Sequence, residues 1–243
     1  MLTSAEMGKP YLSVVDAVSG YGKKQILNGV SIKADLGKIV TVIGANGAGK
    51  STLLQVIFGL LPLWQGSLYV AGVLEAAPSP RALRAKGIAY VPQGNHVFTD
   101  LLVEENLEIG ALAVRSRYVL KERRQRVLSM FPQLERRVRQ SAGSLSGGEK
   151  QMLALACALI SMPKMLLLDE PSLGLAPPSA AAMFARVRTI CDASGTGVLL
   201  VEQRVRDALE ISDHTYAVRG GRVSYDGPSA ELRAGDRLRD VYF

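Results

Sequence analysis

The chain has 243 residues, 48% of them hydrophobic, and a formal net charge of +7, which suits one large domain or a core with a modest subdomain. No apolar run approaches the ~20 residues that cross a bilayer, Met1 to Pro10 lacks the apolar centre of a signal peptide, and no internal repeat is visible. Cys157 and Cys191 have neither metal nor redox spacing and sit in apolar helical patterns, as expected of buried thiols in a reducing compartment.

In chain order, Tyr11 to Val18 alternates loosely and predicts a strand, with a turn at Ser19 to Gly22. Tyr21 on that turn has two readings, a ring covering the sheet or a platform for a nucleobase. A second strand is expected at Val30 to Lys33, and Asp35 to Lys38 turns into an apolar strand, Ile39 to Ile43. There follows Gly44-Ala45-Asn46-Gly47-Ala48-Gly49-Lys50-Ser51-Thr52, which fits the P-loop pattern G-x-x-x-x-G-K-[ST] and opens a helix through Ile57. Glycines there let the backbone bring successive N–H groups onto a di- or triphosphate, and the helix N-terminus adds donors and a positive dipole end. Lys50 is placed to reach β- and γ-phosphates, and the Ser51 hydroxyl to ligate Mg²⁺.

Gly59 to Pro62 ends that helix, Trp64 to Val73 reads as a hairpin, and a short helix spans Arg81 to Lys86. The apolar strand Ile88 to Val91 stops at Pro92-Gln93, where Gln93 is either a ligand for Mg²⁺ or its water, or an ordinary loop residue. Leu101 to Gln140 turns helical and carries nine basic residues between Arg115 and Arg139 against Glu122 and Glu135. That run suits a solvated helical face, a surface near anionic lipid or a nucleic-acid patch; no aromatic interleaving or nucleic-acid motif supports the last.

Leu145-Ser146-Gly147-Gly148-Glu149 opens a long apolar helix that Pro163 closes, with Ser146 and Glu149 spaced as a capping box. Met165 to Leu168 then runs straight into Asp169-Glu170-Pro171. Carboxylates at the end of a buried parallel strand lie where ligands bind in open α/β sheets. Asp169 there suits a Mg²⁺ shell, and Glu170 suits the polarisation of an attacking water. A helix from Ser179 to Ala193, a strand Val198 to Val201 ending at Glu202-Gln203, and a last hairpin from Tyr216 to Tyr225 complete the chain.

With the P-loop, Gln93, LSGGE at Leu145 to Glu149, Met165 to Glu170 and Ser172 to Leu175 in this order, the sequence resembles the ATP-binding cassette (ABC) family along its whole length. The resemblance implies an α/β P-loop NTPase: a RecA-like parallel-sheet core, an N-terminal antiparallel β subdomain, and a helical subdomain at about 94–160 inserted in a single 1–243 domain. It implies ATP and Mg²⁺ as ligands, with Ser51, Gln93 and Asp169 at the metal. It also implies a head-to-tail dimer in which Ser146, Gly147 and Gly148 contact the γ-phosphate held by the partner's P-loop. Tyr21 then matches the adenine-stacking position, and Gln93 the loop residue that signals to a membrane partner.

Asp169 to Pro177, Leu199 to Gln203, Val103 to Leu107 and the ending Ala234 to Phe243 look like one of the two cassettes of branched-chain amino acid importers. Related cassettes serve urea and short amides. The implied partners are a second ATPase subunit, membrane permeases and, indirectly, an external solute-binding protein, on the cytoplasmic side of the cell membrane and without nucleic acid. Three positions depart from the family pattern: Gln203 at the switch usually held by histidine, Ala176 where many cassettes have Asp, and Cys157 where many have Arg. Because Glu170 is retained, hydrolysis is expected; Gln203 and Ala176 leave an ATP-sensing regulator with little turnover as the alternative. Gln203 is expected to donate its amide to a γ-phosphate without titrating.

Overall fold

The computed structural model describes residues 9–94, 96–112, 114 and 116–233; Arg115 and the segment Ala234 to Phe243 lie outside them. In chain order β1 (Leu12–Tyr21), β2 (Lys24–Ala34), β3 (Ile39–Ile43), α1 (Lys50–Ile57), β4 (Gln65–Val70), β5 (Val73–Leu74), α2 (Pro80–Ala85) and β6 (Ile88–Val91) come first. A helical stretch follows: α3 (Val103–Gly110), α4 (Arg117–Met130), α5 (Pro132–Glu135) and α6 (Gly147–Leu159). The chain returns through β7 (Met165–Asp169), α7 (Pro177–Ser194), β8 (Gly197–Glu202), α8 (Val205–Ile211), β9 (His214–Arg219), β10 (Arg222–Pro228) and α9 (Ser229–Arg233).

Two hydrophobic patterns give two sheets. The first is antiparallel, in the order β2-β1-β4-β5. Its strands bury alternate residues: Val30, Ile32 and Ala34 point inward while Ser31 and Lys33 face solvent, the pattern of a sheet covered on one side. Here the structure corrects the expected boundaries. β1 runs on through Tyr21, which pairs with Lys24 across a two-residue turn, and β2 starts at Lys24 rather than Val30. Its first half sets Ile26 and Leu27 between Lys24, Gln25 and Asn28, an adjacent apolar pair that shows no alternation in sequence although Leu27 is buried in the core.

The second sheet has the order β10-β9-β3-β8-β7-β6, with β9, β3, β8, β7 and β6 parallel and β10 antiparallel at the edge. Every residue of β3, β7 and β8 is buried, because both faces of this sheet are covered. Val40, Val42, Leu167, Leu199 and Val201 pack towards α1 and the antiparallel sheet. Leu166, Leu168, Val198 and Leu200 pack on the other side, in one cluster with Leu107, Phe131, Leu153 and Phe184. The helices α3 to α6 thus share a continuous core with the sheet and with α7.

That packing engages three residues of the basic run. Arg123 donates to the carbonyls of Ile160 (3.5 Å) and Ser161 (3.1 Å), just beyond the C-terminus of α6. Arg124 bridges Glu104 at 3.2 Å and Glu108 at 3.6 Å on α3, and Arg137 meets Glu149 at 3.4 Å. Charge-assisted bonds to carbonyls that have no partner within the helix stabilise more than a half-exposed ion pair does. Arg123→Glu is therefore expected to cost about 2 kcal/mol of stability and Arg124→Ala less than about 1 kcal/mol, as read from denaturant melts. Equal effects of the two would contradict this division of roles.

Candidate active site

The site forms at the C-terminal edge of the parallel sheet, where Ile43 sits opposite Glu202 and Asp169 opposite Val201. Between β3 and α1 the chain curls through Gly44 to Gly49. Gly44 is held against the neighbouring strand so tightly that a Cβ would lie 2.3 Å from the Val218 carbonyl oxygen. Gly49, the N-cap of α1, has φ 107 and supplies no side-chain cap, so the N–H groups at the start of α1 remain directed at an anion in the cleft. Ala45 and Ala48 serve through their backbones: Ala48 N–H donates to Ala45 O at 3.1 Å, and Gly221 N–H donates to Ala48 O at 3.0 Å.

Lys50 is 4% exposed. Its ammonium donates to Gly44 O at 2.8 Å and Ala45 O at 3.2 Å, and lies 3.8 Å from Glu170 Oε1. Burial pushes its pKa down, and the carboxylates of Glu170, Asp169 and Glu202 oppose that shift. A cleft of about 380 Å³ opens above it, lined by Tyr21, Asn46, Gly47, Lys50, Ser51, Thr52, Gln93, Glu170 and Gln203 among others. Tyr21 is half-exposed at the rim, and its hydroxyl donates to Gln55 Oε1 at 2.8 Å.

Ser51 and Asp169 meet directly: Ser51 Oγ donates to Asp169 Oδ1 at 2.8 Å, and Tyr90 Oη donates to Asp169 Oδ2 at 3.1 Å. Burial raises the Asp169 carboxyl above the usual range, and those two hydrogen bonds work against it. A hydroxyl beside a carboxylate is a hard-oxygen donor set. Among the described residues no group of three or more His, Cys, Asp or Glu side chains could hold a metal. The Ser51–Asp169 oxygen pair suits Mg²⁺, which keeps waters and substrate phosphates as ligands and needs only one or two protein oxygens. These residues fit the metal that the sequence implies.

Glu170 is 5% exposed and adopts φ 47, a left-handed conformation that costs a non-glycine residue on the order of 1–3 kcal/mol. Its N–H donates to Val201 O at 2.9 Å. Gln93 Nε2 donates to Oε2 at 2.8 Å, and Gln203 Nε2 lies 2.7 Å from both carboxylate oxygens. The two glutamines, placed on separate loops, therefore converge on the carboxylate. Gln93 keeps its amide oxygen as the group able to face a cation. The Gln203 amide, expected on a phosphate, here donates to Glu170.

Ser146, Gly147 and Gly148 do not line this cleft. They start α6, where Ser146 Oγ accepts from Glu149 N–H at 3.3 Å while Glu149 Oε2 accepts from Ser146 N–H at 2.9 Å. The capping box is therefore present, and Ser146 and Gly147 are exposed. Ala176 is the N-cap of α7 and makes no side-chain cap bond. Cys157 donates to Asn106 O at 3.3 Å, and burial pushes its thiol up to about 12.

Sequence reasoning missed three side chains. Tyr90 reads as one more apolar strand residue. Arg204 reads as a loop charge, yet its Nη2 donates to Leu175 O at 2.7 Å. Glu202 is 1% exposed and accepts N–H bonds from Ser172, Gln203 and Arg204. An acid ending a buried apolar run was the available signal for Glu202, the same signal that singles out Asp169.

Comparison with known proteins agrees with this geometry. A family model described as ABC transporter matches residues 27–173. The chain is 44% identical to the high-affinity branched-chain amino acid transport ATP-binding protein BraG of Pseudomonas aeruginosa, over 91% of this chain and 94% of that one. It is 42% identical to a probable branched-chain amino acid transport ATP-binding protein, LivF, of Archaeoglobus fulgidus, over 95% and 97% of the two chains. Among solved structures, an ATP-binding cassette of an ABC transporter in its ADP conformation superposes with a TM-score of 0.85 at 27% identity, covering 95% of this chain and 97% of that one.

The capping box carries a pH dependence. The Ser146 N–H holds the Glu149 carboxyl below its usual pKa, aided by the Ser146 hydroxyl and Arg137. A carboxylate with a depressed folded pKa adds stability that is present above its unfolded pKa and is lost as pH falls through the folded value. Glu149→Ala should therefore melt below wild type at neutral pH, with the gap closing in acid below the folded pKa. A gap independent of pH would show that the carboxylate charge contributes nothing.

Proposed function

This chain belongs to the ABC transporter family of ATP-binding proteins, and we propose that it is the ATPase subunit of an importer for branched-chain or related amino acids. The observation that carries the catalytic part is Glu170: buried, bracketed by Lys50, Gln93 and Gln203, and next in the chain to the Asp169–Ser51 pair. The names of the 44% and 42% identical relatives support the amino acid part. A lipopolysaccharide export system ATP-binding protein of Escherichia coli is also 30% identical over 95% of this chain, so the cassette itself does not select the solute.

In this reading Tyr21 stacks on adenine, while the backbone of Gly44 to Gly49 and the N-terminus of α1 bind the phosphates. Lys50 exchanges its carbonyl partners for β- and γ-oxygens. Ser51, Asp169 and the amide oxygen of Gln93 would hold Mg²⁺, which would supply positive charge against the phosphate oxygens. Glu170 accepts a proton from the attacking water. Gln203 keeps the Glu170 carboxylate in place and offers an N–H towards the γ-phosphate. Ser146, Gly147 and Gly148 of a second cassette close over the nucleotide, and Tyr21 to Gln203 of this one form the opposing half.

The helical part, about 94–160 within one domain, presents a groove of about 320 Å³ between Phe58, Tyr90, Pro92, His96, Ile109 and Cys157. Its place beside Gln93 suits a permease segment docking there. Among the described residues no helix is long and apolar enough to cross a membrane; in this reading membrane permeases supply the path, with the cassette at their cytoplasmic face. An external binding protein supplies the solute.

Lys50→Ala should abolish tight MgATP binding, and Glu170→Gln should bind ATP and accumulate an ATP-held dimer without turnover. In cells, either variant should stop uptake of labelled leucine; uptake at wild-type rate would refute the transport assignment. Gln203→Ala should lower kcat roughly tenfold while changing ATP affinity less, since the contact matters most as charge shifts in the transition state. Gln203→His should be tolerated, and an unchanged kcat in the alanine variant would remove Gln203 from the mechanism.

A further inference from the structure

Two loops adjoin Glu170. One, Pro171 to Ala176, joins β7 to α7; the other, Gln203-Arg204, joins β8 to α8. The first presents Leu173, 52% exposed, from a turn in which Leu173 N–H donates to Glu170 O and Leu175 N–H to Ser172 O. The second carries Gln203, whose amide lies on the Glu170 carboxylate.

These loops are tied at two points. Glu202 divides its carboxylate between them: Oε1 accepts Ser172 N–H at 2.9 Å, while Oε2 accepts Gln203 N–H at 3.0 Å and Arg204 N–H at 3.3 Å. Arg204 then reaches back, and its Nη2 donates to Leu175 O at 2.7 Å. A buried carboxylate is a costly way to end a strand. An apolar residue there would avoid the desolvation but could not accept backbone N–H groups from two separate loops.

We infer that Glu202 and Arg204 are positioning residues: they latch the Leu173 loop to the Gln203 loop and so hold the Gln203 amide on the Glu170 carboxylate. This rests on the ATPase reading above. The latch supplies within one chain a link to the loop where Ala176 offers no acid and Gln203 no titratable ring.

The test is a coupling measurement on the full chain in the assembly it purifies as. Glu202→Gln is nearly isosteric but sets an NH₂ against the N–H groups of one loop, releasing it. Arg204→Met keeps the aliphatic stem and removes the bond to Leu175. Steady-state ATPase should show kcat lowered about tenfold in Glu202→Gln and about threefold in Arg204→Met, with KM for ATP within about twofold of wild type. In a Gln203→Ala background neither substitution should lower kcat further, because both act through Gln203.

A purely structural role would instead lower kcat by the same factor in both backgrounds, and that outcome overturns the latch. So does wild-type kcat in Glu202→Gln and Arg204→Met. If Glu202→Gln does not fold, the half-exposed Arg204→Met decides by the same criterion. Glu170→Gln runs alongside: no turnover there with wild-type rates in the latch variants sinks the latch alone, whereas near wild-type turnover in Glu170→Gln sinks both readings.

Discussion

The buried ammonium of Lys50 is the charge on which the site depends. It faces Glu170 at 3.8 Å, with Asp169 and Glu202 close enough to oppose the effect of burial on its pKa. At that distance and an effective dielectric of about 20, one pair is worth roughly 4 kcal/mol of attraction. Taking each ion out of water costs several kcal/mol. Such a pair does not hold the fold together; the fold holds the pair. Clusters of Leu, Val and Ile on both faces of the parallel sheet fix the ends of β3, β7 and β8, and those ends fix the charges.

Glu170 shows how that support is used. Its backbone is left-handed, its carboxylate buried, and two loops supply the amides that satisfy it. The strained, buried carboxylate is thus held in register by two neutral amide donors, with the Lys50 ammonium 3.8 Å away. The Gln203 amide that donates to this carboxylate is neutral at every pH. The polarity of this contact therefore follows geometry, and the geometry follows Glu202 and Arg204.

The helical stretch follows the same logic on a larger scale. Its basic residues do not form a single free face: Arg123 serves the end of α6, Arg124 joins α4 to α3, and Arg137 joins the capping glutamate of α6. Charge that sequence alone leaves open between solvent, lipid and nucleic acid is partly committed to joining helices. The groove beside this packing adjoins the cleft: Tyr90, which lines it, donates to Asp169, and Pro92 on its wall precedes Gln93, which donates to Glu170.

The sequence by itself determined the P-loop, the acid pair ending β7, the signature at the start of α6 and the alternation of strands with helices. Each is a local pattern whose chemistry depends on neighbours in the chain: glycines where N–H groups must turn inward, apolar runs where both faces are covered, a capping box three residues apart. It misjudged the β1–β2 turn and the start of β2, because Ile26 and Leu27 stand between Lys24, Gln25 and Asn28 and are too short a pair to show strand alternation. Only the tertiary structure decided that Tyr90 meets Asp169, that Gln93 and Gln203 meet on Glu170, and that Glu202 spans two loops. Those contacts join residues 30 to 79 positions apart, brought together by strand order, and strand order is set by how buried surfaces match in space rather than by anything a single segment carries.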